Sequence, residues 1–264
     1  TVCDYDPEEI KRGFSLTLSL APVMWETSKI NFIDAPGFFD FSGEVDAAVR
    51  VADAAVIALD GKAGVEVGAE IAWDKAQEAK IPCAFFVNKC DDPDADFEKV
   101  FNEKFGAAVC PLLVPVKNGK DVKFLNLISR EAYTFDASGK RTNAPFNSDD
   151  EDIAAGYTDT LNEALAQTSE ELLDKFFETA EITQEEAVEA LHQGIIDGSI
   201  VPVFSGCATN LWGITFLLDT IHDSFPRPTA KKVEQIIDGD SFKDKPIETD
   251  GECSLFVFKT IADP

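Results

Sequence analysis

Hydrophobic positions gather into four short runs, at residues 30–33, 54–59, 83–87 and 200–204. Each has strand length and none alternates cleanly, as expected of strands buried on both faces of a parallel sheet. Residues 16–25 read as a more exposed strand leading into the first run. Helical patterns occupy 44–53 and 67–79, the second with Ile71 and Lys75, then Ala72 and Ala76, on adjoining faces. This strand–helix alternation predicts an α/β fold.

The regularity breaks after Phe105. Residues 109–116 and 122–128 suggest strands of a smaller sheet, joined by the turn Lys117-Asn118-Gly119-Lys120. A polar, turn-rich stretch at 134–152 follows, then amphipathic helices near 159–178 and 183–197. Thr183 and Glu186 have capping-box spacing. The sheet pattern resumes at Ile200, so residues 106–198 read as an insert within one domain spanning 1–225. A helix at 211–223 closes that domain. Residues 226–251, rich in Pro, Lys and Asp, suggest a linker, and 252–264 the first strand of another domain.

Composition narrows the partners. The chain has 264 residues, 45% hydrophobic, enough for one large domain with an insert. Its 49 acids against 23 bases give a net charge of −26. Such a surface repels phosphate backbones, which argues against binding free nucleic acid but leaves room for one docking face on a large ribonucleoprotein. No C-x-x-C pair occurs among the six cysteines, and His192 and His222 lie far from them in sequence, so no zinc site is expected. Thiols inside apolar runs point to a reducing cytoplasm. Neither a basic-then-apolar leader nor a bilayer-spanning stretch is present, so no membrane is expected. The sequence begins without Met, as a fragment or processed product would.

The chemistry lies at the strand ends, where open parallel sheets collect ligands. One run ends in Asp34-Ala35-Pro36-Gly37, another in Asn88-Lys89-Cys90-Asp91, a third in Ser205-Gly206-Cys207-Ala208. Order and spacing match a guanine-nucleotide-binding domain. Asp34 at a strand end can hold Mg²⁺, usually through water. Gly37 lets its N–H approach a γ-phosphate. Asp91 can accept from guanine N1 and N2, a donor pair adenine lacks. Asn88 can meet the base edge and tie the loops, the Lys89 stem can cover the base face, and Cys207 and Ala208 can offer N–H groups to the guanine oxygen. Either motif alone has an ordinary alternative, a strand-to-turn junction or a polar loop; together, in order, they do not share one.

E-E-I-K-R-G-F-S-L-T at 8–17, N-F-I-D-A-P-G-F-F-D-F-S-G-E-V at 31–45, A-D-A-A-V-I-A-L-D-G-K-A-G-V-E-V at 52–67 and F-F-V-N-K-C-D at 85–91 resemble translation elongation factor G. The likeness is to its divergent paralogues and the related ribosomal-protection GTPases. It continues at C-P-L-L-V-P-V, S-E-E-L-L-D-K-F-F and V-P-V-F-S-G-C-A, and S-L-F-V-F-K-T-I-A-D-P resembles the start of the family's β-barrel second domain. The resemblance implies a mostly parallel sheet of the P-loop-NTPase type with an inserted α+β subdomain, binding GTP or GDP with Mg²⁺. It implies a monomer that works on the ribosome. Residues 12–17 would end the first switch segment, with Ser15 as a Mg²⁺ ligand, and 38–44 would belong to the second.

Three departures accompany it. No G-x-x-x-x-G-K-[ST] occurs, so the domain is expected to be truncated ahead of its phosphate loop and short of one central strand. Phe38 stands where the family has a water-orienting His, a role a phenyl ring cannot fill. Cys207 replaces a Ser. The leading expectation is a GTPase whose hydrolysis is slow or ribosome-dependent and which is inactive as this fragment. The alternatives are a non-catalytic ribosome-binding module and a ribosomal-protection factor.

Overall fold

The computed structural model describes residues 2–261 except 101–104, 107, 120, 180, 240, 249, 252 and 254. The short helix α1 (Pro7–Arg12) starts at a capping box between Asp6 and Glu9 and ends on Gly13 in the left-handed conformation. Two antiparallel strands follow, β1 (Ser19–Trp25) and β2 (Ser28–Asp34). Then come α2 (Ser42–Val51), β3 (Ala55–Asp60), α3 (Val67–Ala79) and β4 (Cys83–Asn88). The helix expected at 67–79 has those bounds.

The insert opens with β5 (Val109–Pro111) and continues as β6 (Leu113–Asn118), β7 (Asp121–Asn126), β8 (Glu131–Phe135) and β9 (Arg141–Ala144). Helices α4 (Ser148–Ala166), α5 (Glu170–Thr179) and α6 (Gln184–Asp197) lead back to β10 (Val201–Ser205). Helix α7 (Ile214–Ser224) and the hairpin β11 (Val233–Asp238), β12 (Ser241–Pro246) follow.

The main sheet has the order β3-β4-β10-β5, all parallel. In register, Phe204 lies beside Phe86 and Val203 beside Phe85. Phe85 therefore points to one face, where Trp73 of α3 stacks on it at 5.6 Å, and Phe204 to the other, where Phe216 of α7 meets it at 5.9 Å. Helices on both faces explain why every residue of β10 is buried. The fold is mixed α/β, with a parallel sheet and antiparallel strands elsewhere in the chain.

Several expectations need correction. The run at 30–33 is expected in the parallel sheet, but among the described residues β2 hydrogen-bonds only to β1. Ile30, Phe32 and Asp34 of β2 and Val56, Ala58 and Asp60 of β3 line one cleft of about 1830 Å³. The expected strand at 109–116 is two strands in two sheets. Leu112 divides them: its N–H donates to Val203 in the main sheet and its carbonyl accepts from Leu127 in the antiparallel one. The helix expected at 159–178 is α4 and α5, separated where Ser169 accepts from the N–H of Leu172. The expected linker carries the β11–β12 hairpin, and residues 253 and 255–261 form no regular element. The expected second-domain start also includes residues 252, 254 and 262–264, which lie outside the described residues.

Residues 148–152, read in sequence as the end of a polar, turn-rich stretch, begin helix α4. Asp150 is buried, closes a capping box with Asn147 and accepts from Lys123 Nζ at 2.6 Å. Asp150→Ala removes cap and ion pair together, and is expected to destabilise the chain by about 2–3 kcal/mol. A fall in the urea midpoint at unchanged slope would show it; an unmoved midpoint would contradict the pairing.

Candidate functional site

The site has two halves. The first lies at the carboxyl ends of β4 and β10. Asn88 Oδ1 accepts from the N–H of Lys89 and of Ala208, each at 2.8 Å. Cys90 N–H donates to Gly206 O, and Gly206 N–H to Val87 O, both at 2.9 Å. The two loops are thus laced together. Residue 206 must be glycine: a Cβ there would lie 2.1 Å from the Trp212 carbonyl. Asn88 ties the loops.

Asp91 is exposed and accepts from Asn210 Nδ2 at 3.4 Å. Burial, and then a hydrogen bond to the Asp91 carboxylate, raises the Cys207 thiol. The N–H of Ala208 is bound to Asn88, and that of Cys207 donates to Trp212 O at 3.1 Å. A guanine oxygen at Ala208 would share that hydrogen with Asn88, a three-centre bond. Lys89 has φ 62°, the left-handed region, and its Nζ donates to Asp60 Oδ2 at 2.6 Å. Asp60 is absent from the candidates drawn from the sequence, although an Asp-Gly pair ends its strand.

The second half is the cleft wall. Buried Glu9 accepts from the N–H of Leu16 at 2.9 Å and of Thr17 at 3.1 Å, and Glu44 accepts from Leu18 at 2.8 Å. These two carboxylates shape the segment carrying Ser15; neither was anticipated, because their partners are backbone groups. Ser15 Oγ donates to Asp4 at 2.7 Å. Asp34 opens toward the cleft, yet its carboxyl is desolvated enough to titrate above its ordinary range. Asp4 and Glu9 add to that rise, and a hydrogen bond from Cys3 opposes it. Ser15 and Asp34 line the same cleft, and among the described residues no hydrogen bond joins them directly.

Mg²⁺ keeps most of its waters and asks for one or two protein oxygens, and the Ser15 hydroxyl and Asp34 carboxylate that line this cleft are donors of a kind that could hold it. No cluster of three or more metal-ligating side chains occurs among the described residues. At Gly37 a Cβ would meet nothing within 4 Å, which leaves open space for a ligand. Its carbonyl crowds Gly68, where a Cβ would lie 2.9 Å away.

Phe38 and Phe39 are exposed, at 51% and 64%, so they are not core beneath the turn. The Phe38 ring packs on Phe14 at 4.5 Å, and Phe14 sits 6.5 Å from Phe41. An aromatic contact therefore joins the two segments expected to switch. His222 Nδ1 hydrogen-bonds Ser28 Oγ at 2.8 Å, and Trp25 Nε1 donates to Asp219. Both contacts tie the β1–β2 hairpin to α7.

The elongation factor Tu GTP binding domain family matches residues 1–227. The chain belongs to that family. A domain of this family binds guanine nucleotide and is of the GTPase type. Among solved structures, the chain is similar to a protein from Thermus thermophilus, with 28% identity and a TM-score of 0.78. The match covers 87% of this chain and 35% of that one, so this chain spans about a third of its solved relative. Among the described residues no helix is long and apolar enough to cross a membrane.

Proposed function

We propose that the chain is the GTP-binding domain of an elongation-factor-G-like factor that acts on the ribosome as a monomer in the cytoplasm. Asp91 reads the guanine, Asn88 joins the two base loops, and Lys89, Cys207 and Ala208 complete the base pocket. Ser15 and Asp34 hold magnesium, and Gly37 faces the γ-phosphate. The observation that supports the reading is the 2.8 Å bond from Ala208 to Asn88, which ties the loops carrying N-K-C-D and S-G-C-A together.

In this proposal the domain spans residues 1–225, with 106–198 inserted, and a following β-barrel domain begins near residue 252. The phosphate loop is not among these residues. When bound, GTP would pass its γ-phosphoryl to water and leave as GDP, and a magnesium ion held by Ser15 and Asp34 would supply charge neutralisation. The chain's own groups position: Gly37 N–H and Asp34 orient, and no side-chain base stands at residue 38.

Ribosomes are expected to stimulate phosphate release from GTP by the full-length protein. A second reading, a non-catalytic ribosome-binding or regulatory module, is supported by the Phe14–Phe38 contact, since Phe38 stands where the resemblance puts a water-orienting His. Guanine-nucleotide binding with no ribosome-stimulated release would select that second reading; no binding of guanine nucleotide by the full-length protein would defeat both.

A further inference from the structure

We propose that Asp60 is a positioning residue of the guanine site: it sets the Lys89 side chain in the place from which its stem covers the base. The inference rests on reading residues 88–91 as the base loop.

Lys89 is poorly placed by its own backbone. Its φ of 62° lies where non-glycine residues are strained, and a lysine side chain has many rotamers to lose. Asp60 supplies what the backbone does not. One carboxylate oxygen takes Lys89 Nζ at 2.6 Å; the other is fixed by the N–H groups of Lys62 at 2.8 Å and Ala63 at 3.2 Å. The acceptor is therefore anchored before the lysine arrives. Its carboxyl is drawn down to about 2, by the Lys89 hydrogen bond first and the two backbone bonds next, so it is ionised at neutral pH.

The whole loop of Asp60 buttresses the base loop. Gly61 N–H donates to Asn88 O at 2.9 Å, and Asp96 N–H returns a bond to Gly61 O at 2.8 Å. A Cβ at residue 61 would lie 2.8 Å from Asn88 O, so only glycine allows this approach. Lys62 Nζ on Asp94 at 2.6 Å adds a second clasp between the same loops.

Stability does not explain the pair. Side chains exposed at 61% and 27% gain little from an ion pair in water. Fixing Lys89 before the ligand arrives instead spares ordering entropy at binding. Asp92 and Glu66 lie close enough to act on Lys89. Without Asp60 the ammonium has other acids to follow, away from the base face.

The test measures binding of GDP, IDP and ADP to the full-length protein by competition against a fluorescent guanine nucleotide. The variants are Asp60→Asn, Asp60→Glu, Lys89→Met and the Asp60→Asn/Lys89→Met pair. Asp60→Asn keeps an acceptor for Lys62 and Ala63 and is expected to weaken GDP about five- to tenfold. The GDP-to-IDP ratio should stay unchanged, since Asp91 reads the 2-amino group that inosine lacks. Asp60→Glu should recover part of the loss, and the double variant should bind no worse than Lys89→Met alone. Wild-type affinity in Asp60→Asn, or an equal loss when Lys89 is already Met, overturns the inference. If the unaltered chain does not prefer GDP to ADP, the base-loop reading itself fails, and the inference with it.

Discussion

Asp91→Asn is expected to lower GDP affinity about a hundredfold and to raise XDP affinity by a similar factor. The carboxylate offers two acceptors to the N1–H and 2-amino group of guanine. The amide offers one acceptor and one donor, which suits the N1–H and 2-oxo group of xanthine. Charged hydrogen bonds are each worth about 1.5–3 kcal/mol, so exchanging the pair outweighs any change in packing. Asp91 is exposed and its contact with Asn210 is long, at 3.4 Å, so the fold should not notice. Competition against a fluorescent guanine nucleotide reads the exchange. Loss of GDP with no gain of XDP would place residue 91 near the base without giving it the 2-position.

Phe38→His in the full-length protein is expected to raise ribosome-stimulated GTP hydrolysis on the order of a hundredfold. The phenyl ring can neither donate to nor accept from a water, whereas imidazole can do both. The ring is also held: Phe14 contacts it at 4.5 Å, and such aromatic pairs contribute about 0.5–1.5 kcal/mol beyond their buried area. Phe14→Ala added to Phe38→His should therefore raise the rate further, by releasing the new side chain to turn toward the phosphate. Single-turnover phosphate release separates this from binding. An unchanged rate with unchanged GTP affinity would mean that residue 38 does not face the reacting water.

Much of the architecture was legible because it is local. Residues 67–79 show helical period and form α3; Thr183 and Glu186 show capping-box spacing and close the box before α6. The strands at 83–87 and 200–204 read as buried runs because helices cover both faces of their sheet, whereas in the strand at 55–60 Val56 and Ala58 are exposed toward the cleft. What misled was shared periodicity. Residues 109–116 form one apolar run, but the backbone of Leu112 serves two sheets, and no side-chain pattern records that. The T-S-E-E stretch at 168–171 contains the N-cap signal that ends one helix and opens the next, but the apolar pattern on either side concealed it.

The layout of the candidate site was legible where its residues end neighbouring strands. Asn88, Lys89, Asp91 and the Ser205–Ala208 stretch lie together, as their places at neighbouring strand ends require. Asp34 and Ser15 line one cleft, yet each is bound to the Cys3–Asp4 segment, a partner no spacing rule announces. Glu9, Glu44 and Asp60 escaped notice because their work is done on distant backbone and side-chain groups. The exposure of Phe38 is a property of the folded surface. In the sequence, two phenylalanines after a turn look the same whether they enter the core or stand outside it.

The central claim is that this chain reads guanine through the pocket at the ends of β4 and β10. The most direct measurement is an NMR titration of the full-length protein with GDP and with ADP, following the amides of Lys89, Asp91, Cys207 and Ala208. GDP should move these four in saturable fashion at concentrations where ADP leaves them in place. Equal shifts from both nucleotides, or GDP shifts confined to other residues, would contradict it.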